Sequence, residues 1–246
     1  MNQQCVIVTG ASRGIGAAIA RALSEAGYFV ACLSRSGATP SGTVEEDVRA
    51  RWICSACDVT DRASITRSIA EIAAHGVPIV GLVNNAGIHI ADDSHTCSME
   101  DWRFTIDTNA TSVLLACQSV FPHLVANAGG LIVNIGSFFD KLGVKRNLAY
   151  CASKAAVGAM TRCLAVEWAD KGIQVVNVAP GYIQTDLNRD EMDAGPLRAY
   201  LDRRIPRRSP GDAGDVAEVV EALFRLQGRF LTGETIYLDG AQGVSH

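Results

Sequence analysis

The residues that most restrict the fold stand near the start of the chain. Cys5-Val-Ile-Val-Thr9 is a short apolar run rich in β-branched residues, and it passes directly into Gly10-Ala-Ser-Arg-Gly14-Ile-Gly16. An alanine-rich stretch follows as far as Gly27. Strand, glycine turn and helix, in that order, form the setting in which a dinucleotide pyrophosphate rests on the positive end of a helix. Gly10 permits the tight turn, Gly14 lets the backbone approach a pyrophosphate, and Gly16 lets the helix lie close to the sheet. The spacing G-x3-G-x-G fits the commoner G-x-G-x-x-G pattern only loosely, and glycines can serve turns alone.

The rest of the chain continues the alternation. Strands read near 5–9, 28–33, 51–57, 79–83, 131–135, 174–178 and 235–238, with helices near 15–26, 62–75, 99–124, 150–169 and 213–227. This pattern specifies an α/β fold: a Rossmann-like, doubly wound parallel sheet of seven strands with helices on both faces, a three-layer sandwich. With no linker, low-complexity segment or internal repeat, one domain spanning 1–246 is expected. The stretch from Tyr182 to Pro210 breaks the periodicity. It carries Pro196, Pro206 and Pro210 and the charged pairs Asp190-Glu191, Arg203-Arg204 and Arg207-Arg208, and by itself reads as an exposed loop.

Composition narrows the class. A hydrophobic content of 48% and a charged content of 20% suit a globular core, and a net charge of −4 lacks a nucleic-acid footprint. Met1-Asn-Gln-Gln leads into the first strand without a basic-then-apolar leader, and no apolar run approaches the ~20 residues that span a bilayer. A soluble, cytoplasmic protein with neither nucleic-acid nor membrane partners is expected. The eight cysteines are scattered. The close pair Cys54-x-x-Cys57 falls in a strand, where i and i+3 face opposite sides, so free thiols are expected rather than zinc. His89 and His95 with Asp92 and Asp93 read as solvated loop residues, and no metal is expected.

Tyr150-Cys-Ala-Ser-Lys154 lies thirteen residues after Ser137. Helical i and i+4 positions share a face about 6 Å apart, which sets an ammonium beside a phenol. A free tyrosine titrates near ~10. A fixed cation stabilises the phenolate and is expected to draw that value towards the range where general acid–base catalysis is efficient. Alone such a pair says little, since most are exposed helix residues; the nucleotide loop upstream gives it weight.

Together these residues resemble a known family. Thr9-Gly10-(x)3-Gly14-Ile15-Gly16, Asn84-Asn85-Ala86-Gly87, Asn109, Ser137, Tyr150-(x)3-Lys154 and Pro180-Gly181 are similar, in order and spacing, to the short-chain dehydrogenase/reductase family, in its single-domain branch. The resemblance implies a catalytic set of Asn109, Ser137, Tyr150 and Lys154. Tyr150 would protonate the nascent alkoxide, Ser137 would hydrogen-bond the same oxygen, and Lys154 would lower the phenol's pKa and hold the nicotinamide ribose. Asn109 would anchor a water relaying protons to Lys154. It further implies a cofactor lying along Gly10, Ser12, Arg13, Gly14, Ile15 and Gly16, then Ser34 and Arg35, with Asp58 and Val59 beside the adenine. Asn85, Ala86 and Gly87 with Tyr150 and Lys154 would follow at the nicotinamide ribose, and Pro180, Gly181, Ile183 and Thr185 on the carboxamide side. The segment 182–210 becomes a mobile substrate lid. The helix at 150–169, apolar almost all round, would join the 99–124 helix in a homotetramer or homodimer.

The residue ending the second strand bears on the cofactor. A carboxylate there grips the ribose 2′-hydroxyl of NAD, whereas a basic residue accommodates the 2′-phosphate of NADP. Tyr28-Phe-Val-Ala-Cys-Leu33 ends in Ser34-Arg35 with no acid, and Arg13 adds a second guanidinium. Arginine pairs with phosphate through a planar fork. NADP(H) is therefore expected in preference to NAD(H), a solvated Arg35 being the alternative.

The substrate is less constrained. Ser137, Phe138, Phe139, Tyr150 and Tyr182 are the candidate contacts, although Phe138 and Phe139 can equally be core filling. The layout is most similar to 3-oxoacyl-carrier-protein reductases. Yet Ala126-Asn-Ala-Gly-Gly130, where those enzymes place basic residues for an acidic carrier protein, is uncharged, and Lys171 alone is a thin docking patch. The expected activity is interconversion of a small ketone and a secondary alcohol. A dedicated 3-oxoacyl-thioester reductase and a catalytically silent NADP-sensing regulator are the alternatives.

Overall fold

The computed structural model describes residues 4–245 except Leu187, and of Glu191 the backbone alone. In chain order the elements are β1 (Cys5–Thr9), α1 (Gly14–Glu25), β2 (Phe29–Ser34), α2 (Glu46–Arg49), β3 (Trp52–Ala56), α3 (Arg62–Ala74) and β4 (Ile79–Asn84). The second half runs α4 (Met99–Ile106), α5 (Ser112–Ala126), β5 (Gly130–Ile135), α6 (Leu148–Trp168), β6 (Ile173–Pro180), β7 (Ile183–Gln184), α7 (Arg189–Asp193), α8 (Gly195–Arg204), β8 (Gly211–Asp212), α9 (Ala213–Arg225) and β9 (Thr235–Leu238).

Seven strands form one parallel sheet in the order β3-β2-β1-β4-β5-β6-β9. Helices cover both faces, as a parallel sheet requires. Alternate residues of each strand feed two cores. Cys5, Ile7 and Leu33 pack with Ile65 and Ile69 of α3, Val120 of α5 and Val157 of α6. Val6, Val8 and Cys32 pack on the other side with Ile19 and Leu23 of α1 and Val216 and Val220 of α9. The chain works outward from β1 to β3, then restarts beside β1 with β4. That reversal is a topological switch point, and a crevice opens there beyond the carboxyl ends of the strands.

Two expectations change. The helix read as continuous over 99–124 is broken by a π-helical turn, Asp107–Thr111, between α4 and α5. The turn itself is polar, Asp-Thr-Asn-Ala-Thr, between two helical stretches, and a short polar segment of this kind reads equally well as one exposed turn of a continuous helix. Such turns recur at functional sites. The second concerns 182–210, expected as a substrate lid with an exposed loop as the blander reading: it is largely structured. β7 pairs with β8, and Met192, Leu201 and Ile205 form a small core with Tyr182 and Leu197. Pro196 sits in the first turn of α8, where its missing N–H costs nothing, so it starts a helix that its composition had argued against.

Cys57 and Cys54 fall on opposite faces of the sheet, and all eight cysteines are free. On α6, Val157 and Leu164 are buried while Leu148 and Val166 are exposed, the latter 83%. Among the described residues no helix is long and apolar enough to cross a membrane.

Candidate active site

The glycine loop leaves β1 through Gly10 and Gly14, both with positive φ of 66° and 57°. A Cβ on Gly16 would lie 2.2 Å from the Gly10 carbonyl oxygen, and one on Gly10 would lie 2.9 Å from Ala86 Cα, so neither position has room for a side chain. Thr9 Oγ1 accepts from the N–H groups of Asn85 and Ala86 at 3.0 and 3.1 Å. Asn85 Nδ2 donates in return to the carbonyls of Thr9 and Gly10 at 3.0 and 3.1 Å. The turn after β4 is thereby stitched to the turn after β1, across the switch point.

Beyond this seam lies a cavity of about 340 Å³, lined by Gly10, Ser12, Arg13, Gly14, Ile15, Gly16, Ser34, Arg35, Asp58, Val59, Asn85, Ala86 and Gly87 among others. Its chemistry fits the sugar–phosphate half of a dinucleotide. Arg13 and Arg35 are exposed, and neither forms an ion pair among the described residues. Ser34 Oγ is buried there without a hydrogen-bond partner, as is Thr108 Oγ1. Asp58 accepts from the hydroxyl and the N–H of Thr60 at 2.7 and 2.9 Å. Those bonds, with a smaller contribution from Arg35, hold its carboxyl below the usual carboxylate range.

A second cavity, of about 530 Å³, shares Ile15, Asn85, Gly87, Ile88 and Thr185 with the first, so the two form one cleft. It gathers Ser137, Phe138, Phe139, Tyr150, Lys154, Pro180, Gly181, Tyr182, Ile183 and Thr185. Ser137 ends the run after β5, and its Oγ accepts from Phe139 N at 3.2 Å. Tyr150 and Lys154 project from the first turns of α6. Phe138 is at once buried, 2% exposed, and a cavity wall.

The phenol departs from expectation. Burial pushes Tyr150 up, a hydrogen bond with Ser137 opposing it. Lys154 Nζ donates to the Ile135 carbonyl at 2.8 Å and lies 5.7 Å from the Tyr150 ring centroid. Burial lowers the lysine itself to about 8. The i, i+4 spacing places both side chains on one face, but a carbonyl at the sheet end decides where the ammonium goes.

Asn109 lines neither cavity. It is carried by the π-helical turn behind Gly87, fully buried, with Oδ1 accepting from Ile88 N at 2.8 Å and Nδ2 donating to Ile88 O at 2.9 Å and Ser153 Oγ at 3.1 Å. The side chain thus fixes the 87–88 backbone against α6.

This arrangement coincides with a known one. The family model described as short chain dehydrogenase matches residues 4–195. The chain belongs to the short-chain dehydrogenase family. It is accordingly an oxidoreductase of alcohol and carbonyl groups, with a nicotinamide-type cleft. It is 34% identical to 3β-hydroxysteroid dehydrogenase 1 of Eggerthella lenta, over 96% of this chain and 92% of that one. It is 32% identical to the 3-oxoacyl-[acyl-carrier-protein] reductase of Staphylococcus epidermidis, over 95% and 96%. Among solved structures, a gluconate 5-dehydrogenase from Burkholderia cenocepacia in complex with NADP and tartrate superposes with a TM-score of 0.89 at 29% identity, covering all of this chain and 97% of that one.

Several residues of this short-chain dehydrogenase cleft were not singled out by its sequence. His89, weighed only as a loop or metal residue, lines the second cavity with its ring 4.9 Å from that of Tyr150, edge to face. Its Nε2 is hydrogen-bonded to Asn147 Oδ1. Asn188 takes the N–H of Thr185 at 2.7 Å and donates to Ile183 O at 3.0 Å, shaping the cavity floor. Met192 and Leu197 reach the cavity from the 182–210 segment. These contacts join loops far apart in sequence, so no local pattern announces them. Among the described residues no group of three or more His, Cys, Asp and Glu side chains is placed to hold a metal ion.

Proposed function

We propose that this protein is an NADP(H)-dependent enzyme interconverting a ketone and a secondary alcohol, with Tyr150 as general acid and base. The observation that carries this reading is the convergence of Tyr150 and Ser137 on a cavity continuous with a glycine-loop cleft. When bound, the nicotinamide supplies or accepts the hydride. Tyr150 gives the proton to the carbonyl oxygen in reduction, while Ser137 Oγ hydrogen-bonds the same oxygen and stabilises its developing charge. Lys154 holds the nicotinamide ribose and passes protons on towards solvent, helped by a water at the Asn109 turn. Arg13, Ser34 and Arg35 receive the 2′-phosphate; the end of β2 offers no carboxylate to a 2′-hydroxyl, which supports NADP(H) over NAD(H). The segment 182–210 acts as the substrate lid, and the exposed apolar residues of α6 support a homodimer or homotetramer.

A dedicated 3-oxoacyl-thioester reductase has the support of the staphylococcal relative. The uncharged 126–130 turn offers an acidic carrier protein nothing to grip, so the broader reading is preferred. A silent regulator is disfavoured by the presence of both Tyr150 and Lys154. The test is consumption of NADPH and NADH, followed by ultraviolet absorbance, against α-diketones, keto-sugars, cyclic ketones and 3-oxoacyl thioesters. Turnover preferring NADPH is expected. NADPH binding with no turnover of any carbonyl would overturn the enzymatic reading.

A further inference from the structure

The second cavity is walled by aromatic rings out of proportion to the chain as a whole. Of seven phenylalanines and five tyrosines, Phe138, Phe139, Tyr150, Tyr182 and Tyr200 fall into one connected cluster. Phe139 meets Tyr150 at 6.0 Å and Tyr182 at 6.1 Å, both nearly perpendicular, and Phe138 meets Tyr182 at 5.5 Å. Edge-to-face packing of this kind makes a stiff apolar wall that begins at the catalytic phenol and runs into the 182–210 segment.

Polar capacity for a substrate is correspondingly small. Thr185 and Asn188 satisfy each other and the local backbone. Lys154 is bonded to Ile135, Asn85 Nδ2 to Thr9 and Gly10, and the Tyr182 ring packs edge to face on Tyr200 at 6.4 Å. Tyr150 and Ser137 are placed to receive the reacting oxygen, and His89, on the wall beside Tyr150, is a further polar group. Asn147 spends its Nδ2 on Lys145 O and so presents Oδ1 to His89, which places a proton on Nε2. In that tautomer Nδ1 is left as the acceptor.

We propose that the substrate is a mostly apolar ring ketone, or the matching ring alcohol, packed against Phe139 and Tyr182 and donating one further hydroxyl to His89. The inference rests on the oxidoreductase reading above and narrows it. A sugar or polyol carries a hydroxyl on nearly every carbon, and this wall would strip water from them without replacing it. A linear acyl chain can enter, but loses more conformational freedom and fills the space less well than a rigid ring.

The test compares kcat/KM for the intact protein with NADPH on matched carbonyls: decalones, a hydroxylated decalone, a linear ketone of equal carbon number, a keto-sugar and a 3-oxoacyl thioester. The ring ketones are expected to exceed the linear ketone by about tenfold or more. Phe139→Ala and Tyr182→Ala are expected to remove most of that preference while NADPH affinity stays unchanged, which also shows that the variants are folded. His89→Phe, which keeps an aromatic ring, is expected to cut the advantage of the hydroxylated over the plain decalone by about three- to tenfold. Faster turnover of the keto-sugar or thioester than of any ring ketone would overturn the inference and leave the oxidoreductase reading standing. An unchanged preference in all three variants would also overturn it. No turnover of any member of the panel would sink the underlying reading instead.

Discussion

Lys154 Nζ donates to the main-chain oxygen of Ile135 at 2.8 Å, holding a buried ammonium at the end of the central sheet rather than on the Tyr150 ring. Burial has lowered this lysine to about 8 from 10.5. A lysine whose folded pKa lies below its unfolded value binds its proton less readily in the folded chain. The resulting cost is whole below about pH 8 and fades as pH rises towards 10.5. In the cofactor-free protein, Lys154→Met is therefore expected to raise stability by on the order of 1–2 kcal/mol at neutral pH, despite the lost hydrogen bond. The advantage over the parent chain should shrink across the interval above pH 8. Denaturant titrations of both proteins at neutral and alkaline pH check it; a gain that is flat or grows with pH would contradict the assignment.

In the proposed reaction the Tyr150 phenol carries the proton, and its ring has a separate packing role against His89 and Phe139. Tyr150→Phe removes the first and keeps the second. Turnover is expected to fall by about 10²–10⁴-fold, the usual contribution of a positioned general acid. Cofactor affinity, measured by fluorescence titration, should hardly move. Activity retained in the variant would remove Tyr150 from the proton-donor role.

Arg35 stands exposed at the mouth of the nucleotide cavity, next to the unpartnered Ser34 hydroxyl. Hydrogen bonds to charged groups contribute about 1.5–3 kcal/mol, so Arg35→Asp should weaken NADPH by on the order of ten- to a hundredfold. NADH lacks the 2′-phosphate and should lose little. Paired titrations with the two cofactors decide the matter, an equal loss for both arguing against a phosphate site.

Much of this was legible because it is local. Gly10, Gly14 and Gly16 announce the turn they make, since no larger residue fits, and strand runs buried on both faces read as parallel sheet. Each residue expected to touch the cofactor lines the cleft, because those positions sit at strand ends that the topology must bring together. What could not be read is non-local. The polar turn Asp107–Thr111 reads as one exposed turn of a helix, so the burial of Asn109 against Ile88 and Ser153 has no local signature. His89 is an ordinary loop histidine until Asn147 is folded beside it. The upward shift of Tyr150 is hidden from the sequence for the same reason: spacing on a helix reports a neighbour, while desolvation depends on everything packed around it.

A buried polar chain beneath the site is a further part of the structure with measurable consequences. Asn84 Nδ2 donates to Asn134 Oδ1 at 2.9 Å, Asn134 Nδ2 donates to Thr161 Oγ1 at 2.9 Å, and Thr161 donates to Val157 O at 2.9 Å. It links β4 and β5 to α6, the helix that carries Tyr150 and Lys154. Asn134 is fully buried, so Asn134→Leu leaves the Asn84 amide only the weak acceptor Cys117 Sγ at 3.3 Å and leaves Thr161 Oγ1 without its donor. A loss of about 2–4 kcal/mol is expected, since each abandoned buried group costs about 1–3 kcal/mol. Adding Asn84→Leu and Thr161→Val removes the stranded groups as well, and should recover part of that loss. Denaturant unfolding of the single and triple variants measures the coupling. Simple addition of three separate losses would show that the chain of hydrogen bonds does not act as a unit.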